Sequence, residues 1–356
     1  EGQPTGNWSK PYERSAVANV ALDGISKIER TDLNRLAWDN VKGSALFFRA
    51  MNFHELVQLF AKPYNASTAN VDLGIPLRLT NNPGAPSVRA SVAQTYRQII
   101  DDLKEAVNLL PDTAQYRSQP SKCAAHALLA RVYLNTGDYS QAIDHATNAL
   151  SIYGSLIDFN DLNPNSNRPF NTFENINKEV IFYAQATSGV HLRSPNLIVD
   201  SNLFKSYVAE DLRRTVFYNN IPSFEGHYTG LPTTFFSGIS TNELYLIRAE
   251  ANARLNNKNA ALVDLNTLLE KRWKAGFFFS FDAPDAAAAL QIILTERRKE
   301  LAFVGSLRWQ DLRRLNLDPA FAVTISRELN EQTYTLHPND NRYVLPIPPD
   351  EIVLSG

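Results

Sequence analysis

The chain has 356 residues, 44% hydrophobic and 20% charged, enough for a sizeable core and too apolar for wholesale disorder. Thirty-five basic residues nearly balance 37 acidic ones, and a net charge of −2 without a basic stripe argues against nucleic-acid binding. One cysteine excludes an intramolecular disulfide framework and a Cys-rich zinc site.

No apolar run reaches the roughly 18 residues of a membrane-spanning helix. The chain opens at Glu1 rather than Met and shows no signal-peptide core, so it reads as processed or trimmed, and the absence of targeting signals is uninformative.

The first strong periodicity is Leu46, Ala50, Phe53, Val57 and Phe60, spaced by four and three as on one helix face. Ser91 with Gln94 forms a capping box. It opens a helix through Val92, Tyr96, Ile99, Leu103, Ala106 and Leu110, which Pro111 stops. From Cys123 to Leu134 the chain is apolar nearly all round, which predicts a helix buried on several sides, with Cys123 an inert buried thiol. Gly137 breaks that helix, and Asp138 with Gln141 resembles a second capping box opening Tyr139 to Leu150.

This helix-turn-helix has a second copy. Setting Ala130-Arg131-Val132 over Ala249-Glu250-Ala251 brings Gly137 over Asn256, two residues suited to a left-handed turn. Ala142-Ile143 then falls over Ala261-Leu262. Small residues at the crossing and a Gly/Asn turn resemble a tetratricopeptide pair, but the copies stand too far apart for a contiguous array of about 34-residue repeats.

The segment between them, 151–240, differs in composition. Asn160, Asn163, Asn165, Asn167, Asn171, Asn175 and Asn177 crowd one loop with Pro164 and Pro169. Val180 to Tyr183 is the best strand candidate, and Gly226, Gly230, Pro232 and Gly238 punctuate an aromatic stretch. Helices resume near Asn242 and again from Pro284 to Val304. Three prolines predict that Tyr343 to Pro349 runs extended rather than helical.

The expected fold is therefore mainly α, an alpha-alpha superhelix of interrupted tetratricopeptide-like helical pairs. A single composite domain, 1–356, would hold N-terminal pairs in 1–150, a loop-rich insertion with short strands in 151–240, and a helical pair, a further helix and a tail in 241–356.

Catalytic signatures are missing: there is no G-x-S-x-G elbow, no Gly-rich phosphate loop and no G-x-G-x-x-G. His54-Glu55-Leu56-Val57-Gln58 approaches H-E-x-x-H, but an amide stands where the second imidazole must be, so His54 reads as an ordinary helix histidine. Asp161, Asn163 and Asn165 copy the first oxygen ligands of a calcium loop, but Ser166 and Thr172 replace its turn glycine and its bidentate glutamate. No metal and no cofactor is expected.

Glu296 and Glu300 lie one helical turn apart, as paired acids of a glycosidase could. The neighbouring Arg297, Arg298, Lys299, Arg308, Arg313 and Arg314 favour the ionised form, whereas a general acid needs its pKa raised, so a structural ion-pair network is the preferred reading. A hydrolase with carboxylates paired elsewhere and a tetratricopeptide scaffold for a protein partner remain open at this point.

Thr295-Glu296-Arg297-Arg298-Lys299-Glu300-Leu301-Ala302-Phe303, followed by Arg308-Trp309-Gln310-Asp311-Leu312-Arg313-Arg314, resembles the signature of the SusD/RagB family, roughly ERRxELAFEGxRWxDLRR. Further matches follow in the family's order: Trp8 and Tyr12 with Ala18-Asn19, Ala45 to Ala50, Asp211 to Arg214, Asn242 to Ala251, and Pro346-Ile347-Pro348-Pro349-Asp350-Glu351-Ile352. Val304 departs from the usual Glu, Ser306-Leu307 replaces a Gly-His-like junction, and the chain is short for the family.

The resemblance implies a non-catalytic surface lipoprotein of the outer membrane. Such a protein captures oligo- or polysaccharide, less often peptide, for a SusC-like TonB-dependent transporter. It also implies helical pairs beside an irregular ligand-binding face, with membrane contact only through an N-terminal lipid anchor absent from this sequence. Within that expectation Glu296, Arg297, Glu300, Arg308, Trp309, Asp311 and Arg313 are framework. The ligand contacts expected are Tyr218, Phe224 and Tyr228, with Trp8 a fourth, because rings among Gly and Pro should face solvent and stack on sugar C–H faces. Trp273 and Phe277 to Phe281 are the fallback.

Overall fold

The structure, a computed structural model, describes residues 6–166, 168–170, 177–186, 198–218, 223–231 and 234–355. In chain order the elements are α1 (Gly6–Ser26), α2 (Arg35–Phe60), β1 (Leu73–Pro76), β2 (Arg89–Ser91), α3 (Val92–Leu109), α4 (Lys122–Thr136) and α5 (Tyr139–Ile152). There follow β3 (Val180–Phe182), α6 (Ser201–Lys205), α7 (Arg213–Val216), β4 (Ile239–Ser240), α8 (Thr241–Arg254), α9 (Lys258–Glu270) and α10 (Ala286–Glu300). The chain ends with α11 (Leu307–Leu315), β5 (Ile325–Leu329), β6 (Gln332–Leu336) and α12 (Pro349–Ser355). The fold is mainly α, and each sheet is a two-stranded antiparallel pair: β1 with β2, β3 with β4, β5 with β6.

The chain forms two compact units. One takes Glu1–Thr113, Pro120–Gly137 and Trp309–Gly356. In it α1 packs on α2, α2 on α3, and α3 on α4. The periodic positions carry that packing: Leu46, Ala50, Phe53, Val57 and Phe60 of α2 and Val92, Tyr96, Ile99, Leu103 and Ala106 of α3 are all buried. The capping box closes both ways, Gln94 N–H donating to Ser91 Oγ at 3.1 Å and Ser91 N–H to Gln94 Oε1 at 2.9 Å. α4 ends on Gly137 at φ +77°, the left-handed geometry that lets its N–H reach the last free carbonyls.

The other unit takes Ala114–Gln119 and Asp138–Arg308. Its centre is α8, against which α5, α9 and α10 pack. Small residues make this possible: Ala249, Ala251 and Ala253 are buried on α8, with Ala142, Ala146 and Ala149 on α5. Asn256 takes φ +64° at the turn between α8 and α9, the residue aligned with Gly137.

Two features depart from expectation. Pro349 does not extend the tail but opens α12, because proline's missing N–H costs nothing in a helix's first turn. Residues 325–336 form a hairpin whose turn residues, Asn330 and Glu331, both have positive φ, as a two-residue primed turn requires.

Candidate functional site

The connection from β1 to β2, residues 77–88, is long and rich in Asn, Pro and Gly, yet it is tied down from three sides. Tyr12 Oη donates to the Pro76 carbonyl at 2.9 Å, and Asn19 Nδ2 donates to the Arg78 and Thr80 carbonyls at 2.7 and 3.1 Å. From within, Arg78 Nη1 donates to the Ala85 carbonyl at 2.7 Å and Nη2 to that of Pro83 at 3.0 Å. Asn82 Oδ1 accepts from the Gly84 N–H at 2.9 Å, an Asx turn that needs no outside support.

The loop, the start of α1 and the first turn of α12 enclose an open groove of about 900 Å³, within the range of about 300–1,000 Å³ usual for ligand sites. Trp8 and Tyr12 supply its aromatic wall, with ring centroids 5.0 Å apart and Trp8 edge-on to Phe60 at 4.8 Å. Asn81 and Asn82 stand exposed on the rim with Thr80 and Asp350, while Arg78 and Glu351 are half-buried. Ser87 Oγ donates to Glu351 Oε1 at 3.3 Å, joining loop and helix. Burial pushes the Tyr12 phenol far above its ordinary range and the Glu351 charge adds to that, so Tyr12 is neutral and keeps its donor proton. The groove thus brings two largely covered aromatic rings, amides and hydroxyls together in one place. Of the expected ligand contacts only Trp8 lines this groove; Arg78, Asn81 and Asn82 were not expected from the sequence, although the Asn-Asn-Pro-Gly run marks a turn-rich loop.

The rings expected on the insertion do not face solvent. Tyr218 is 3%, Phe224 6% and Tyr228 5% exposed, so the expectation of solvent-facing platforms is corrected. They pack with Phe159, Phe170, Phe217, Phe235 and Phe236 into a second aromatic core. Loops lacking helices and strands have no regular side chains to bury, and here the aromatics themselves supply that core. The void beside Phe224 and Tyr228 is about 10 Å³, no more than a water. Trp8 is also buried, at 4% exposure, although it lines the groove. At the fallback site Trp273 packs with Phe278 and Phe281, and Phe279 is 82% exposed.

Tyr228 has a second duty. Its hydroxyl donates to Glu179 Oε2 at 2.6 Å, at the edge of a buried charge network. Arg272 bridges Glu179 and Glu300 at 2.8 Å each. Arg213 meets Asp211 at 2.8 Å, Glu300 at 3.2 Å and Glu296. Lys299 pairs with Asp211 and Glu296 at 2.9 Å each. Burial pushes the Glu300 carboxyl up, but Arg272 and Arg213 with the hydrogen bonds of Arg272 and Asn242 outweigh it and hold it below the carboxylate range. Burial pushes Glu179 up; Arg272 opposes this, and the nearby Glu300 adds to the rise. The two glutamates of α10 therefore meet cations, but mostly not their sequence neighbours. Arg298 goes to Asp200, Arg314 to Asp311, and Arg313 donates to the Gln58 and Ala61 carbonyls at the end of α2.

His54 is buried, with Nε2 3.1 Å from Asn135 Nδ2 and 3.4 Å from Gln58 Nε2. Burial, helped by the Arg131 charge, lowers its pKa to about 3, so it is a neutral acceptor. Asn163 Oδ1 is taken by the Asn165 N–H at 3.0 Å, while Asn167, Asn171, Thr172, Asn175 and Pro232 lie outside the described residues. Among the described residues no cluster of three or more His, Cys, Asp or Glu could hold a metal ion, and no helix is long and apolar enough to cross a membrane.

Residues 1–134 match a family model described as "Starch-binding associating with outer membrane", and residues 241–356 match the model of the SusD family. The chain belongs to the SusD/RagB family. A SusD-like protein of Formosa agariphila is 24% identical over 418 residues, covering 99% of this chain and 79% of that one. Among solved structures, a putative sugar-binding protein of Bacteroides vulgatus superposes with a TM-score of 0.78 at 23% identity, over 99% of this chain and 83% of that chain. A laminarin-binding SusD-like protein superposes with a TM-score of 0.68 at 19% identity, over 98% and 84%. The SusD signature maps onto interior positions: Glu296, Arg297, Glu300, Asp311 and Arg313 are buried, Trp309 lies 5.0 Å from Tyr343, and Arg308 alone of the seven is exposed.

Proposed function

We propose that this SusD-family chain is a non-catalytic binding protein that captures oligo- or polysaccharide in the groove between α1, the 77–88 loop and α12. The observation that carries this reading is the groove itself, where an aromatic wall faces a rim of amides and hydroxyls on a braced loop. Sugar rings present C–H faces that stack on aromatic planes, and their hydroxyls pair with such polar groups. The match to a starch-binding family model over 1–134 covers Trp8, Tyr12, Arg78, Asn81 and Asn82, and the laminarin-binding relative supports the same ligand class.

In this reading the protein works at the outer-membrane surface, held by a lipid anchor. It passes its ligand to a TonB-dependent transporter, docking by its helical pairs over at least about 1,000 Å². A neutral-glycan screen by calorimetry, followed by an Asn81→Ala/Asn82→Ala variant, tests the site. The variant should bind about tenfold more weakly, ~1.4 kcal/mol, with only a small fall in melting temperature, since it also removes the exposed bonds of Asn82 to the Gly84 N–H and of Asn81 to Asp23. Wild-type affinity in the variant refutes the groove. Co-purification with the transporter from mild detergent tests delivery, and recovery of this chain alone, with the transporter expressed, refutes it.

A further inference from the structure

The connection from α9 to α10, residues 271–285, splits its aromatic rings between protein and water. Phe278 and Phe281 are half-buried against Trp273, with ring centroids 6.3 and 6.2 Å from it. Phe277 and Phe279 are 45% and 82% exposed, and among the described residues every other phenylalanine is buried or half-buried. The backbone beneath them is braced on both sides. Asn160 Oδ1 accepts from the Ala275 N–H and its Nδ2 donates to the Trp273 carbonyl, both at 2.9 Å. Asn266 of α9 accepts from the Phe281 N–H at 2.8 Å and donates to the Phe281 carbonyl at 3.0 Å. Lys274 N–H donates to the Glu210 carbonyl at 2.9 Å. Gly276, at φ +82°, makes the turn in which Phe277 N–H donates to the Lys274 carbonyl at 3.0 Å. Rings on so fixed a loop have little ordering entropy left to lose when a ligand covers them.

The surroundings decide which ligand. At roughly 200 Å² per ring side chain these exposures leave roughly 250 Å² of aromatic surface, well short of the about 800 Å² per partner of a stable protein interface. The exposed chain neighbours, Lys274, Ala275, Gly276, Ser280 and Asp282, add no large apolar side chain. A lipid surface fits poorly, because Asp282 would carry an 85% exposed carboxylate toward anionic headgroups. A sugar needs less. Its C–H face covers one ring plane, and its hydroxyls stay in water or meet donors such as Lys274 Nζ, 5.2 Å over the Phe277 ring.

We propose that Phe277 and Phe279 form a second glycan-binding platform that stacks on the C–H faces of polysaccharide. The inference rests on reading this chain's ligand as a glycan, and it adds a site made of other residues. Those lining the groove all belong to the unit of Glu1–Thr113, Pro120–Gly137 and Trp309–Gly356, and the two rings belong to the other unit.

The test is affinity electrophoresis in gels of soluble starch, laminarin, xylan and galactomannan, with melting as the control for folding. On the polysaccharide that holds the wild type best, Phe279→Ala should weaken binding about threefold and Phe277→Ala/Phe279→Ala about tenfold. The double variant should melt only slightly lower, since Phe277 is partly covered. Phe279→Trp keeps a ring plane and should keep the binding; a Trp variant as weak as Phe279→Ala refutes ring stacking. Wild-type retention in the double variant overturns the inference, and if Asn81→Ala/Asn82→Ala still weakens binding, the groove reading stands. Loss in the double variant with wild-type retention in Asn81→Ala/Asn82→Ala supports the platform and removes the groove. Sedimentation with phosphatidylglycerol vesicles that the double variant loses, at unchanged retention on polysaccharide, overturns the platform in favour of lipid. A wild type retained by none of the four polysaccharides overturns platform and groove together.

Discussion

Replacing Glu300 by Gln tests whether the buried network is held by geometry or by net charge. The network sets four carboxylates (Glu179, Asp211, Glu296, Glu300) against three cations (Arg213, Arg272, Lys299). Counting charge alone, Glu300→Gln makes the balance three against three and should not destabilise. Geometry says otherwise. Oε1 accepts from Arg272 Nε and Asn242 Nδ2, both at 2.9 Å, and Oε2 from Arg213 Nη1 at 3.2 Å. A glutamine amide must turn N–H groups toward one of these donors, so at least one arginine loses its acceptor inside the protein. Removing one partner of a buried pair costs about 3–5 kcal/mol. Arg213 keeps Asp211 and Glu296, and Arg272 keeps Glu179, which argues for the lower end, about 3 kcal/mol. In a unit of some 150–250 residues that lowers Tm by roughly 6–12 °C.

The carboxyl of Glu300 lies below its ordinary value of 4.5 when folded. Its contribution is therefore complete above that value and disappears as pH falls through the folded pKa. Calorimetric melting of both proteins from pH 7 to pH 3 measures this. A Tm within 2 °C of wild type at pH 7, or a difference that stays constant into acid, refutes the argument.

Other predictions use the same assays. His54 has its pKa lowered from 6.5 to about 3, so the unfolded chain takes up its proton first and stability falls as pH drops below 6.5; His54→Gln should flatten the slope of stability against pH between 6 and 4 by up to about 1.4 kcal/mol per pH unit. An unchanged slope counts against a buried neutral imidazole. Phe224→Ala should cost about 3–5 kcal/mol and leave glycan affinity per folded molecule unchanged, as read by melting and calorimetry together. An affinity loss at constant Tm would reinstate Phe224 as a ligand contact. Gly238→Ala should lower Tm or abolish soluble expression, because a Cβ there meets the Phe182 carbonyl and the Phe236 ring; a stable variant refutes that crowding.

Much of the helical framework is legible in the chain because it depends on local rules. The capping box at Ser91, the 4-3 stepping of α2 and α3, and the left-handed turns at Gly137 and Asn256 each involve residues within a few positions of one another. Family membership is legible for a related reason, since the signature helix carries its residue pattern contiguously. Partners distant in sequence are not legible. Glu300 meets Arg213 and Arg272 rather than the adjacent Arg297 and Arg298, and Arg313 ends among the carbonyls of α2. The side a ring presents is equally non-local. Loops rich in Gly and Pro suggested exposed aromatics, yet collapse of the insertion around Phe170 and Phe217 hid Tyr218, Phe224 and Tyr228. The groove arose instead where α1, a braced turn-rich loop and the last helix converge from opposite ends of the chain, because burial and cavity shape depend on which segments fold together.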